Sequence, residues 1–202
     1  IGLITGAASG IGLSTVKRLL KKGWEIYGLD NDKNGLEQSS EEIDNSNYIA
    51  KPCDLRSEEA LKKIFAEIQK NQQKINALIA CAGVLKLGTL EDMSTEDFDA
   101  VFDINVRGLW LSAREALPFL KIAASRGEPS RIVLLSSVSA LRPKIDSGAY
   151  SASKAAVSQL TRVLSVECAK YGITVNAIAP GTVNTPMAVS YTHLTLPTNT
   201  PV

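Results

Sequence analysis

The chain has 202 residues, 45% of them apolar and 21% charged, with a formal net charge of +1. That is the composition of one globular domain with a sizeable core, and the balanced charge offers neither a nucleic-acid surface nor a polybasic membrane anchor. No apolar run approaches the ~20 residues of a membrane helix, and the single histidine, His193, leaves no upstream imidazole for a serine hydrolase triad or a typical zinc site.

Short apolar runs alternate with helical patterns. The first run, IGLIT (1–5), reads as a strand and leads into TGAASGIG (5–12). Gly6, Gly10 and Gly12 follow the spacing GxxxGxG. A tight turn after a strand needs glycine, and backbone must approach a pyrophosphate closely. The helix that follows offers unpaired N–H groups to that charge. An ordinary β–α turn is the competing reading. Ile11, Val16, Leu19 and Leu20 line one face of this helix, and Gly23 stops it. No signal peptide precedes the first strand, and a start at Ile1 without methionine reads as a chain clipped at its N-terminus.

The second strand, WEIYGLD (24–30), ends at Asp30. A carboxylate there accepts hydrogen bonds from a ribose 2′-hydroxyl and repels a 2′-phosphate. Neither Ser9 nor Asn31 is the arginine or lysine that would greet that phosphate, so NAD is favoured over NADP. The third strand, NYIAKPCD (47–54), closes at Asp54, which either meets an adenine amino group or caps the next helix. Ser57, Glu58 and Glu59 begin a helix carrying Leu61, Ile64, Phe65 and Ile68. NALIACAG (76–83) is the fourth strand. Ser94 and Asp97 make a looser cap for a long helix with Phe98, Val101, Phe102 and Ile104, and Asn105 continues it although asparagine is a poor helix former.

RIVLLSS (131–137) is the fifth strand, with Ser137 at its end and Ser136 read as a turn serine. GAYSASKAAV (148–157) starts a helix that sets Tyr150 and Lys154 one turn apart among small residues. TVNAIAP (174–180) is the sixth strand and runs into PGTVNTP. Alternating β and α units, several strands being apolar on both faces, predict a doubly wound parallel sheet. The three scattered cysteines, Cys53, Cys81 and Cys168, suit a reducing cytoplasm.

TGAASGIG, CDL, ACAG, Asn105, the SS before YSASK, and PGTVNTP occur in the order of the short-chain dehydrogenase/reductase family. The resemblance runs from residue 1 to about residue 188. It implies a Rossmann-type three-layer αβα fold and NAD(P)-dependent hydride transfer between an alcohol and a carbonyl. It suggests Asn105, Ser137, Tyr150 and Lys154 as the catalytic group, with Asn105 holding a water that relays protons to Lys154. It also implies cofactor contacts at Ser9, Ile11, Asn31, Leu55, Cys81, Ala82, Gly83, Tyr150, Lys154, Pro180 and Gly181, with Lys154 on the nicotinamide ribose and the Val183 backbone and the Thr185 hydroxyl on the nicotinamide carboxamide. ACAG departs from the family, whose members often carry two asparagines there; backbone contacts survive this and a side-chain contact at Cys81 does not. No metal is implied. The family further suggests a homotetramer packed through helices near 107–120 and 151–171, where Leu160, Val163, Leu164 and Val166 offer apolar surface for such contacts and for the sheet.

The chemistry explains the Tyr150–Lys154 pair. A base must take the hydroxyl proton as hydride leaves carbon, and a free tyrosine with a pKa of about 10 is too weak. The ammonium of Lys154 on the same helical face favours the phenolate and is expected to lower that pKa. Of the pocket wall, 84–89 and 138–145, Arg142 and Lys144 either greet an anionic substrate or are simply solvated. The end, VSYTHLTLPTNTPV (189–202), has no helical stripe and resembles a translated sequencing adapter. It is therefore set apart from the domain at 1–188 as a non-native tail, and the last strand and substrate-covering helices are expected to be missing. The alternatives to an enzyme are a non-catalytic NAD-binding sensor and an inactive truncated fragment.

Overall fold

The computed structural model describes residues 1–142 and 144–189; the greater part of the predicted tail, with His193, lies outside them. Six strands form one parallel sheet in the order β3-β2-β1-β4-β5-β6. They are β1 (Gly2–Thr5), β2 (Ile26–Asp30), β3 (Tyr48–Pro52), β4 (Ala77–Ala80), β5 (Ser130–Leu135) and β6 (Ile173–Ile178). All six predicted strands are present, most of them shorter than predicted at the C-terminal end. There the chain leaves the ladder, and residues read as strand, such as Asp54 and Ser137, become loop.

β1 and β4 are buried along their whole length, because helices cover both faces. Leu3, Leu78 and Ile132 point to one side, under α3 (Glu58–Asn71), α5 (Leu109–Ser125) and α6 (Gly148–Ala169). Ile4 and Ile79, one residue on, point to the other, under α1 (Gly10–Leu20) and α2 (Lys33–Ile43). This is the period of two that a strand buried on both faces requires. Among the described residues β6 pairs only with β5, and Thr174, Asn176 and Ile178 are exposed.

The helix boundaries follow from local chemistry. Ser57 Oγ accepts from Ala60 N at 3.1 Å to cap α3, and Ser94 Oγ accepts from Asp97 N at 3.1 Å to cap α4 (Thr95–Phe102). Gly23, at φ +79°, ends the turn after α1. The predicted long helix through Asn105 is interrupted: α4 widens into a π-helical turn, Asp103–Gly108, before α5. α2 has no counterpart in the sequence reading, because it buries only Leu36 and Ser39. Asp32 nonetheless caps it, accepting from Gly35 N at 3.0 Å.

Among the described residues no helix is long and apolar enough to cross a membrane. Leu78 is fully buried at the centre of the sheet. Leu78→Ala should lower the free energy of unfolding by about 2–5 kcal/mol, read as a shifted midpoint in urea with an unchanged slope.

Candidate active site

In a parallel sheet every strand ends on the same edge, and the strand order here reverses between β1 and β4. Ligands of such sheets sit outside the carboxyl ends at that switch point. A cavity of about 700 Å³ opens there. Its wall is built by the loops after all six strands together with the first turns of α1 and α6. Gly6, Ser9, Gly10, Ile11, Gly12, Asp30, Asn31, Asp54 and Leu55 line one end. Cys81, Ala82, Gly83, Ser137, Tyr150, Lys154, Pro180, Gly181, Val183 and Thr185 line the rest. Of the candidate catalytic and cofactor-binding residues named in the sequence, Asn105 alone does not line this cavity.

The glycine loop is sterically fixed. Gly6 and Gly10 have φ of +71° and +54°, where a side chain is strained. A Cβ on Gly12 would lie 1.9 Å from the Gly6 carbonyl oxygen. The N-terminus of α1 has no side-chain cap and no acid in its first turn, so its positive end faces the cavity. Asp30 is held as a rigid acceptor: Oδ2 takes Ala8 N and Oδ1 takes Asp32 N, both at 3.0 Å. Asp54 is not a helix cap, since Ser57 fills that place. Its carboxylate forms a bidentate pair with Arg56, which holds it below the usual carboxylate range. Arg56 lines the cavity too and was not singled out in the sequence.

Lys154 is 3% exposed. Its Nζ donates to the Leu135 carbonyl at 2.8 Å and lies 5.6 Å from the centre of the Tyr150 ring. Desolvation lowers its pKa to about 8. A Cβ on Gly83 would come within 3.4 Å of that ammonium and 3.1 Å of Asn105 Oδ1. Glycine at 83 therefore makes room for both.

Tyr150 corrects an expectation. Burial raises the phenol above its ordinary value, and the opposing influence is a hydrogen bond with Ser137, not the Lys154 charge. The half-buried ring loses hydration that the phenolate needs, and the buried Lys154 is itself driven toward neutrality. Ser137 is buried in extended backbone beyond β5, and its Oγ accepts from Ser139 N at 3.1 Å.

Asn105 is fully buried, not solvated. Its Oδ1 accepts from Val84 N at 2.8 Å, and Nδ2 donates to Val84 O at 2.9 Å and to Ser153 Oγ at 3.1 Å. Both side-chain N–H groups are spent on bracing the loop after β4 against α6, so what the amide offers a relay is an acceptor. Ser136 also departs from its reading as a turn serine. It is 3% exposed, and its Oγ bonds to Lys154 O and Ser158 Oγ of α6. Its role is not visible in the sequence, because its partners come from a helix packed on the strand end.

The sequence profile described as short chain dehydrogenase matches residues 1–194. Oxidoreductase UcpA of Salmonella typhimurium is 37% identical over 192 residues, covering 93% of this chain and 71% of that protein. The 2,3-dihydro-2,3-dihydroxybenzoate dehydrogenase of Bacillus subtilis is 33% identical over 189 residues, covering 93% and 71%. Among solved structures, a 3-ketoacyl-(acyl-carrier-protein) reductase from Brucella melitensis complexed with NADH superposes with a TM-score of 0.90 at 30% identity, covering 95% of this chain and 79% of that one.

The depressed Lys154 pKa makes stability depend on pH. Between about pH 8 and pH 10.5 the unfolded chain keeps a proton on this lysine that the folded chain has lost. Unfolding then takes up a proton, so this residue's contribution to stability rises with pH across that window and is flat below it. Relative to Lys154→Met, the parent should gain up to about 3 kcal/mol from pH 8 to 10.5. Denaturant titrations of the two proteins at matched pH read this difference, and a gap that stays constant would contradict the burial argument.

Proposed function

Because the chain belongs to the short-chain dehydrogenase family, we propose that its cavity binds a nicotinamide dinucleotide, NAD in preference to NADP, and interconverts an alcohol and a carbonyl compound through Ser137, Tyr150 and Lys154. The oxidoreductase class follows from the family itself. The observation that carries the finer reading is the single cavity in which an uncapped glycine loop and the Ser137–Tyr150–Lys154 cluster line the same wall. NADH in the Brucella melitensis reductase supports the choice of cofactor.

The residues present fit such a group. The backbone N–H groups at the start of α1 would hold a pyrophosphate, which needs positive charge and close backbone approach. Asp30 keeps lone pairs free for ribose hydroxyls; the Asp54 oxygens already accept from Arg56, and an adenine amino group would have to share them. The loop 180–185 would hold the carboxamide end. The dinucleotide supplies or accepts the hydride. The protein's own work is on the proton and on orientation. In reduction the Tyr150 phenol gives its proton to the carbonyl oxygen, and in oxidation its phenolate takes the proton of the alcohol. Burial keeps the phenol protonated near neutrality, which is the form reduction uses. Ser137, whose Oγ already accepts from Ser139 N, has its own proton to give to the reacting oxygen. Lys154, when protonated, stabilises the phenolate.

The substrate end supports a compound with an apolar body. Leu87, Val138, Ile145 and Met187 line the cavity and are exposed. Lys144 also lines it, whereas Arg142 is exposed without lining it. The free thiols Cys53, Cys81 and Cys168 support a cytoplasmic setting. A homotetramer is supported by exposed Trp110, Val163 and Val166 on α5 and α6. Leu160 shares a surface groove with Trp110, and Leu164, at 7% exposure, takes the side of the helix that faces the core.

Tyr150→Phe should cut turnover by at least about 10²–10⁴-fold while dinucleotide binding changes little. Near-parental turnover in that variant would overturn the mechanism and favour a sensor. Fluorescence titration should find tighter binding of NADH than of NADPH. Asp30→Ala combined with Asn31→Arg should reverse that order, and a parent that prefers NADPH would refute the reading of Asp30.

A further inference from the structure

Three consecutive residues at the end of β5 each reach α6. The Leu135 carbonyl accepts Lys154 Nζ at 2.8 Å. Ser136 Oγ lies 2.9 Å from the Lys154 carbonyl oxygen and 2.7 Å from Ser158 Oγ. Ser137 lies close enough to Tyr150 of α6 to oppose the rise of its phenol. Lys154 is thus held at both ends, its ammonium by one residue of the strand end and its backbone carbonyl by the next.

We propose that Ser136 is a positioning residue for the reaction, whose hydroxyl pins the backbone of Lys154 to the end of β5 and so fixes the depth at which the ammonium sits beside Tyr150. The proposal rests on the reading of Tyr150 and Lys154 given above. Its physical basis is a degrees-of-freedom argument. A lysine has four side-chain torsions, and a hydrogen bond at Nζ alone leaves the root of the side chain free to slide with its helix. Anchoring the carbonyl fixes the root, and the torsions then close between two fixed points. Ser158 cannot supply this anchor. Its Oγ is 3.1 Å from the same carbonyl, but it rides on α6 itself, one turn on, and moves with Lys154. Two hydroxyl protons serve the three contacts among Ser136, Ser158 and Lys154 O. In either arrangement the tie between strand and helix runs through Ser136. At 3% exposure water has little access to replace it.

The test uses the full chain and two readouts. One is the titration of Lys154, followed by NMR of ¹³Cε-labelled lysine with Lys154→Met to assign the signal; the other is the pH profile of turnover. Ser136→Ala should move the Lys154 titration upward toward the ordinary lysine value, because a looser ammonium gains water. It should shift the pH profile with it and lower kcat on the order of tenfold, as misplacement of a positioned group does. Dinucleotide affinity should stay within about twofold, since the glycine loop is untouched. Ser136→Thr keeps the hydroxyl and should restore both readouts. Ser158→Ala, which leaves Ser136 Oγ free to donate directly to the Lys154 carbonyl, should move them less. Should Ser136→Ala not fold, Ser136→Cys, similar in size and a weak donor, carries the same expectation. An unmoved Lys154 titration in the folded variant would overturn the proposal, as would a fall in kcat with no change in either pH readout. Retained turnover in Tyr150→Phe would instead overturn the reading on which it rests, and the NMR titration keeps the two failures apart.

Discussion

A lysine ammonium buried at the edge of a sheet is costly, and much of the local architecture is arranged around that cost. Lys154 has lost nearly all its water. What replaces it is one strong hydrogen bond to Leu135 O and the room left by Gly83. The same burial lowers the lysine and raises the tyrosine. The two shifts move the groups apart, so near neutrality the phenol stays protonated while the lysine lies much closer to its own titration.

That burial is possible only because α6 lies close against the end of β5. Its buried positions here are small: Ala149, Ser151 and Ser153. They let the helix approach, and two of them are not inert. Ser153 accepts from Asn105, and Ser151 lies 3.3 Å from Ser147 Oγ. Asn105 spans the gap between the loop after β4 and α6, and the π-helical turn around it is the local cost of aiming that side chain inward. The cleared neighbourhood of Tyr150 and Lys154 is thus a packing surface as well as space for a ligand.

Much of this was legible in the sequence. Strands buried on both faces announce themselves as apolar runs, and a glycine loop between a strand and a helix carries its own steric logic. The positive φ at Gly6 and Gly10 and the missing Cβ at Gly12 bear that logic out. α2 was not legible, because its helical state comes from a capping aspartate and burial of Leu36, with too few apolar residues to make a stripe. Asn105 was legible as an anomaly in a helix but not as a brace, since its partners are distant in the chain.

By itself the sequence determined the alternation of strands and helices, the identity of the glycine loop that faces the cavity, and the spacing that puts Tyr150 and Lys154 on one helical face. These depend on local periodicity and short-range sterics. Only the tertiary structure decided that Ser136 ties strand to helix instead of closing a turn. It also decided that Asp54 pairs with Arg56, and that Tyr150 is raised and Lys154 lowered. Each of those depends on how much water a group loses and which partner arrives from another element. Burial and long-range contact are properties of the packed chain, and no window of neighbouring residues contains them.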